Sequence, residues 1–102
     1  MSKAKYALAQ QAESDLIDIA RHTAARWGLE QQRVYVTGLY SLFDDIAERQ
    51  LLGVARPELG SLIRMRRYER SHTVYYDYAE GGRVEILRIL HVRQDDKAAF
   101  EK

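Results

Sequence analysis

Residues 83–95 (Arg-Val-Glu-Ile-Leu-Arg-Ile-Leu-His-Val-Arg-Gln-Asp) follow a Gly81-Gly82 pair and constrain the fold more than any other segment. Val84, Ile86, Leu87, Ile89 and Leu90 are β-branched or leucine, which reads as a strand. A strand this apolar belongs inside a sheet with both faces covered. Arg88, His91 and Arg93 sit badly in that setting, because an unpaired cation is expensive in a core. They must lie at a rim, meet an acidic partner or serve function. Both glycines accept positive φ, so Glu80-Gly81-Gly82-Arg83 fits a two-residue hairpin turn. That turn sets Ala79 opposite Val84, and Tyr76, Tyr75 and Val74 opposite Leu87, Arg88 and Ile89. Val74, Tyr76, Leu87 and Ile89 then share the core face, and Tyr75, Asp77, Ile86 and Arg88 share the other.

A hairpin needs a layer to cover it, and the first half of the chain supplies one. Residues 4–8 suit a short first strand. From Gln10 to Trp27, Ala12, Leu16, Ile19, Ala20, Thr23 and Trp27 recur at helical spacing and define one apolar face. Gly28 ends this helix as a left-handed C′ residue would. Leu29, Val36, Leu39, Phe43, Ile46 and Leu51 mark a second helix ending near Gly53. A link as short as Gly28 makes the pair an antiparallel hairpin. Gly38 lies inside the second helix at a cost of about 1 kcal/mol relative to alanine, and close packing of the two helices is one reason to keep it there. Gly53 to Gly60, with the single proline Pro57, reads as a loop. Strands follow at about 62–68, 73–78 and 84–92, then a turn or two of helix from Asp95 carrying Phe100 back to the body. The expected fold class is α+β: β-α-α-β-β-β, a helical hairpin on a small, mostly antiparallel sheet, with a short C-terminal helix.

A chain of 102 residues suits one domain, spanning 1–102, with one core. It has no cysteine, which excludes disulfides and thiolate chemistry and fits a reducing cytoplasm. No secretory signal is seen at the N-terminus, and no run approaches the roughly 18 apolar residues of a membrane span. The net charge of +1 does not argue for nucleic acid, but the charges are unevenly placed. Residues 1–55 hold six Lys/Arg and seven Asp/Glu; residues 56–93 hold eight arginines, no lysine and five Asp/Glu. Arginine's planar fork suits carboxylates and phosphates, so one surface of the sheet region is suited to an anionic partner.

Arg64, Arg66, Arg67 and Arg70 cluster on one strand and its turn, with Arg64 and Arg66 on one face and Met65 and Arg67 on the other. Two readings compete: an edge strand blunted by charge, and an anion-binding surface. Arg88 opposite Tyr75 and beside Asp77 suits a local cation–π and ion-pair cluster. His91 and Arg93, at a strand end, are better placed for function. His72 is set to face His91 across the hairpin, while His22 lacks a partner at metal-ligand spacing, so no metal, cofactor or catalytic site is expected. Neither Ser61 nor Ser71 has the context of an activated nucleophile. The seven tyrosines offer amphipathic contact area. Tyr76 and Tyr78 suit the core or its margin. Tyr35 and Tyr40 are about 140° apart on a helix, so one of the two must be exposed.

In order and spacing, several pieces resemble the ParE/RelE superfamily of bacterial toxin–antitoxin systems, and within it the ParE branch. They are Ala12-Glu13-Ser14-Asp15-Leu16-Ile17-Asp18-Ile19, Trp27-Gly28, Gln32, Tyr35, Pro57-Glu58-Leu59-Gly60, Ile63-Arg64 and Val74-Tyr75-Tyr76. The strongest is Ile86-Leu87-Arg88-Ile89-Leu90-His91-Val92-Arg93-Gln94-Asp95. The resemblance implies a cytoplasmic bacterial toxin neutralised by a ParD-like antitoxin, a ribbon-helix-helix dimer with a wrapping C-terminal segment. It also implies inhibition of DNA gyrase by binding, with no catalysis, no cofactor and no sequence-specific nucleic-acid contact. On this view Arg64, Arg67, Arg88, His91, Arg93 and Phe100 meet the target, and Tyr35, Tyr40, Arg66 and Arg70 meet the antitoxin.

The RelE branch, which cuts messenger RNA on the ribosome, is the alternative, with Arg64, Arg67 and Arg93 holding phosphate and a histidine as acid. Arg93 matches an arginine of that branch. The tyrosine expected about six residues on is Ala99 here, and the lysine pair of the second strand is absent. Asp77 departs from the ParE pattern, where arginine is frequent. This keeps open a third reading, a partner-binding relative without toxicity.

Overall fold

A computed structural model describes residues 6–78 and 82–101. Its elements run β1 (Tyr6–Leu8), α1 (Gln10–Trp27), α2 (Leu29–Glu48), a 3₁₀ turn (Gln50–Leu52), β2 (Val54–Ala55), β3 (Arg64–Tyr68), β4 (His72–Tyr78), β5 (Val84–His91) and α3 (Asp96–Phe100). The strands form one sheet in the order β1-β5-β4-β3-β2, with β1 parallel to β5 and the other pairs antiparallel. This is the expected α+β architecture with one addition: residues 54–55, read from sequence as loop, pair with Arg64 and Met65 as an edge strand. Two residues carry no periodicity, so nothing local marks such a strand.

The helical hairpin covers one sheet face. Ala12, Leu16, Ile19 and Thr23 of α1, spaced at four, three and four, meet Leu39, Phe43 and Ile46 of α2 over Val74, Tyr76, Val84, Ile86 and Ile89. Each large side chain buried here contributes about 1.5–3 kcal/mol. A smaller cluster on the opposite face joins Ile63, Tyr75 and Leu90 to Leu59, Met65, Leu87 and Phe100. So β5 is covered on both sides, as its composition requires.

Four expectations about the helices need correction. Trp27, Leu29 and Leu51 match the apolar period but are exposed, Trp27 at 64% and Leu51 at 72%. The period continues past the ends of the packed layer, and those turns have no sheet beneath them. The second helix stops at Glu48, and the chain tightens into the 3₁₀ turn before Gly53. Gly28 has positive φ (97°) but an extended ψ (167°), so the chain reverses through a conformation reserved for glycine and not through a left-handed cap. Gly38 is required by Tyr68, whose hydroxyl fills the space a Cβ would occupy, and not by α1.

The β4–β5 register matches Val74 with Ile89 and Tyr75 with Arg88 as expected, then slips. Tyr76 pairs with Ile86, so Leu87 is bulged, and Val84, expected opposite Ala79, pairs with Tyr78. One extra residue reverses the alternation. Ile86 therefore belongs to the main core and Leu87 to the second cluster, the opposite of the simple assignment. The tip of the expected turn, residues 79–81, and residues 4–5 of the expected first strand lie outside the described residues.

Candidate functional site

The arginines divide into occupied and free groups. Arg64 donates to the Gly53 carbonyl at 2.6 Å, and Arg66 to Asp45 of α2 at 2.8 Å. Arg67, Arg70 and Arg93 are exposed, and among the described residues they make no ion pair. Arg88 forks onto Asp15 of α1 at 2.9 and 3.0 Å, so the expected cluster with Tyr75 and Asp77 does not form. Asp77 faces Glu85 across the sheet; burial first, and then that carboxylate, raise its pKa.

Asp15 serves a second purpose. β1 pairs with β5 only as far as Ile86, where the chain turns off into α1. Past that point the outer edge of β5 lacks a strand, and the Ile89 N–H is satisfied by the Asp15 carboxylate at 2.8 Å. A buried backbone donor must find an acceptor, and the first helix brings one.

The opposite side of the sheet is tied by a network that sequence reasoning missed. Arg56 donates to Glu58 at 2.6 Å and to Asp96 at 2.8 Å, while the Tyr75 hydroxyl donates to Asp96 at 2.7 Å. The Arg56 guanidinium, and then the Tyr75 hydroxyl, hold the Asp96 carboxyl below its ordinary pKa; burial, and then Asp96, push Tyr75 up to about 12. Asp95 caps α3 by accepting from Lys97 and Ala98 N–H, and Phe100 packs edge-on against Tyr75 with ring centroids 5.4 Å apart. Phe100 thus returns to the body as expected. No local signal links Arg56 to a partner forty positions away.

At the far end of β4 and β5 lies a cleft of about 510 Å³, bordered by the C-terminal turns of α1 and the first turns of α2. His72 and His91 face each other there as expected, with rings 5.5 Å apart, and His22 of α1 joins the same wall. Tyr35 and Tyr40 separate as the helix period requires. Tyr35 is half-buried and its hydroxyl shares a 2.7 Å hydrogen bond with His72 Nδ1, while Tyr40 is 42% exposed. Burial, and then His91 and His22, depress His72 to about 4; burial, then Tyr68 and Glu69, push Tyr35 up to about 12. Both are neutral near pH 7. His91 accepts the Arg93 N–H on Nδ1 at 3.1 Å, so a neutral His91 carries its proton on Nε2. Among the described residues no three metal-ligating side chains converge, and no helix is long and apolar enough to cross a membrane.

Of the arginines of the nuclease reading, Arg93 donates its backbone N–H to His91 and Arg67 pairs with Thr73 beside His72, but Arg64 stands apart. Arg64 pairs in register with Tyr76, and His91 with His72, four positions along the same strand. That is a separation of about 13 Å. Exposed apolar side chains occupy another region: Leu51, Leu52, Val54 and Leu62, each more than half exposed, fall within the 51–62 segment at the outer edge of the sheet.

Comparison with known proteins adds to this geometry. Residues 6–96 match the family model described as ParE toxin of type II toxin-antitoxin system, parDE. Toxin ParE1 of Caulobacter vibrioides is 36% identical over 94 residues, 91% of this chain and 94% of the relative. Toxin ParE1 of Mycobacterium tuberculosis is 31% identical, covering 89% of this chain and 92% of the relative. A solved structure described as a chromosomal ParDE TA system from P. aeruginosa shares the fold, with a TM-score of 0.73 at 22% identity over 86% of this chain and 95% of that one.

Proposed function

The chain belongs to the ParE toxin family of type II toxin–antitoxin systems, and from that premise we propose that it is neutralised by a ParD-like antitoxin and acts in the bacterial cytoplasm by binding DNA gyrase, without catalysis of its own. The observation that carries the binding reading is the 51–62 edge. Leu51, Leu52, Val54 and Leu62 stand in water there, along the edge where β2 pairs with the arginine-rich strand β3. Exposed apolar surface beside arginine suits a protein partner with acidic and apolar side chains. Tyr40 extends the available contact area on α2. The reading without catalysis is supported by the separation of Arg64 from the histidine pair, four positions along β4.

The test is a pair of assays on the purified chain. Inhibition of gyrase supercoiling, relieved by the antitoxin encoded in an adjoining reading frame, is the expected result. Ribosome-dependent cleavage of messenger RNA, abolished by Arg93→Ala, overturns it in favour of the nuclease branch. Inactivity in both assays with the antitoxin still bound favours a partner-binding relative without toxicity.

A further inference from the structure

The sheet face away from the helical hairpin carries opposite charges at its two ends. Arg67 of β3 pairs with Thr73, and Thr73 with Leu90 of the second apolar cluster, so Arg67 stands on that face. The Val92 N–H donates to the Ser71 carbonyl at 2.8 Å, which brings Arg70 in the β3–β4 turn and Arg93 beyond β5 to the same end. All three arginines are exposed, and among the described residues none makes an ion pair. Residues 66–73 and 90–94 contain one carboxylate, Glu69. Burial, and then Glu69, raise the pKa of Tyr68, which packs toward the helices. Thr73, Tyr75 and Asp77 alternate onto the outer face, which puts Asp77 about 13 Å from Thr73. There it meets Glu85 across the strands, and Phe100 lies against Tyr75 between the two ends.

Exposed guanidiniums without an internal partner suit carboxylates and phosphates alike. The shortness of the basic end separates the two. An unbroken polyanion, charged about every 3.4 Å of strand, meets Asp77 and Glu85 as it runs along the face and is repelled. A polypeptide can set a few acidic side chains against the arginines and change charge beyond them. We propose that the Arg67, Arg70 and Arg93 end of the sheet docks a short acidic segment of a partner protein. The inference rests on the reading of the chain as a protein-binding one, and adds to the 51–62 edge a second surface with its own chemistry.

The test is a fluorescence-anisotropy titration of the intact chain into labelled hexaglutamate, with labelled hexauridylate as the phosphate comparison. Two triple variants lose the same charge at different places. One is Arg67→Gln, Arg70→Gln, Arg93→Gln; the other is Arg21→Gln, Arg26→Gln, Arg83→Gln, at exposed positions outside this surface. Unchanged circular dichroism confirms that both fold. Saturable peptide binding is expected, weakened about tenfold by the first triple, as three exposed ion pairs allow, and less than about twofold by the second. Equal weakening by both triples would show net charge acting without a site, and would overturn the proposal. Tighter binding of hexauridylate than of the peptide, or no saturation by about 1 mM peptide, roughly the weak end of specific binding, also overturns it. Neither gyrase nor antitoxin enters this titration, so its failure leaves the supercoiling assay to stand or fall separately.

Discussion

Asp15 holds Arg88 through both carboxylate oxygens and also accepts the Ile89 N–H, so one helical side chain ties α1 to the unpaired edge of β5. The side chains of the pair are only 18% and 14% exposed. Removing one partner leaves a charge and a backbone donor unsatisfied, so Asp15→Ala should cost about 3–5 kcal/mol. The double variant Asp15→Leu, Arg88→Met should recover part of that loss. Urea denaturation measures both; a cost below about 1 kcal/mol for Asp15→Ala would mean the pair behaves as a surface ion pair.

Asp96 joins Arg56 and Tyr75 and anchors α3. Tyr75→Phe removes one hydrogen bond and should destabilise by about 1 kcal/mol. Asp96→Ala should cost more, and should selectively speed amide exchange at 97–100 as Phe100 loses its seat. Equal exchange in the variant and the parent would show that Phe100 packing alone holds the helix.

His72 is depressed from 6.5 to about 4 in the folded chain, so the unfolded state binds its proton first. Its contribution is therefore complete above pH 6.5 and lost as pH falls from there toward 4, at most about 3 kcal/mol. Asp96 and Glu58, both held below their ordinary values, add their losses from the acid end of this window downward. His72→Gln should flatten stability between pH 6.5 and 4 and leave the more acid limb in place. Equilibrium unfolding across that range is the measurement.

Gly38→Ala would ordinarily strengthen a helix by about 1 kcal/mol. Here the new methyl meets the Tyr68 hydroxyl, which donates to the Tyr35 carbonyl at 2.8 Å. The net effect should be a loss of about 1–3 kcal/mol. Adding Tyr68→Phe should recover part of it, and thermal melting of the single and double variants reads the coupling.

Asp77 opposite Glu85 places like charges across two strands. Asp77→Arg converts this to an attractive pair and should stabilise by about 0.5–1 kcal/mol. If the proposed function holds, gyrase inhibition should hold or rise, since the change also restores the residue type frequent in the ParE pattern. A fall in inhibition with the fold intact would mark Asp77 itself as part of the target contact.

Periodicity alone determined the helical hairpin, the three main strands, the His72–His91 pairing and the separation of Tyr35 from Tyr40, because helix faces and hairpin ladders are set by near neighbours. The order of elements and the residues from Ile86 to Asp95 were enough to place the family. Only the tertiary structure decided who satisfies whom. Arg88 finds Asp15, Arg56 finds Asp96, and Gly38 makes room for Tyr68, all across more than twenty positions of chain. The bulge at Leu87 belongs to the same class, since it sends Ile86 and Leu87 to clusters on opposite faces of the sheet. The physical reason is common to all four. Burial removes water as a partner, and the replacement is whatever group the fold carries into reach. Arg88, His91 and Arg93, the misfits of the opening strand, were resolved the same way. One is paired to a helix, one is hydrogen-bonded at the lip of a cleft, and one is left free in solvent.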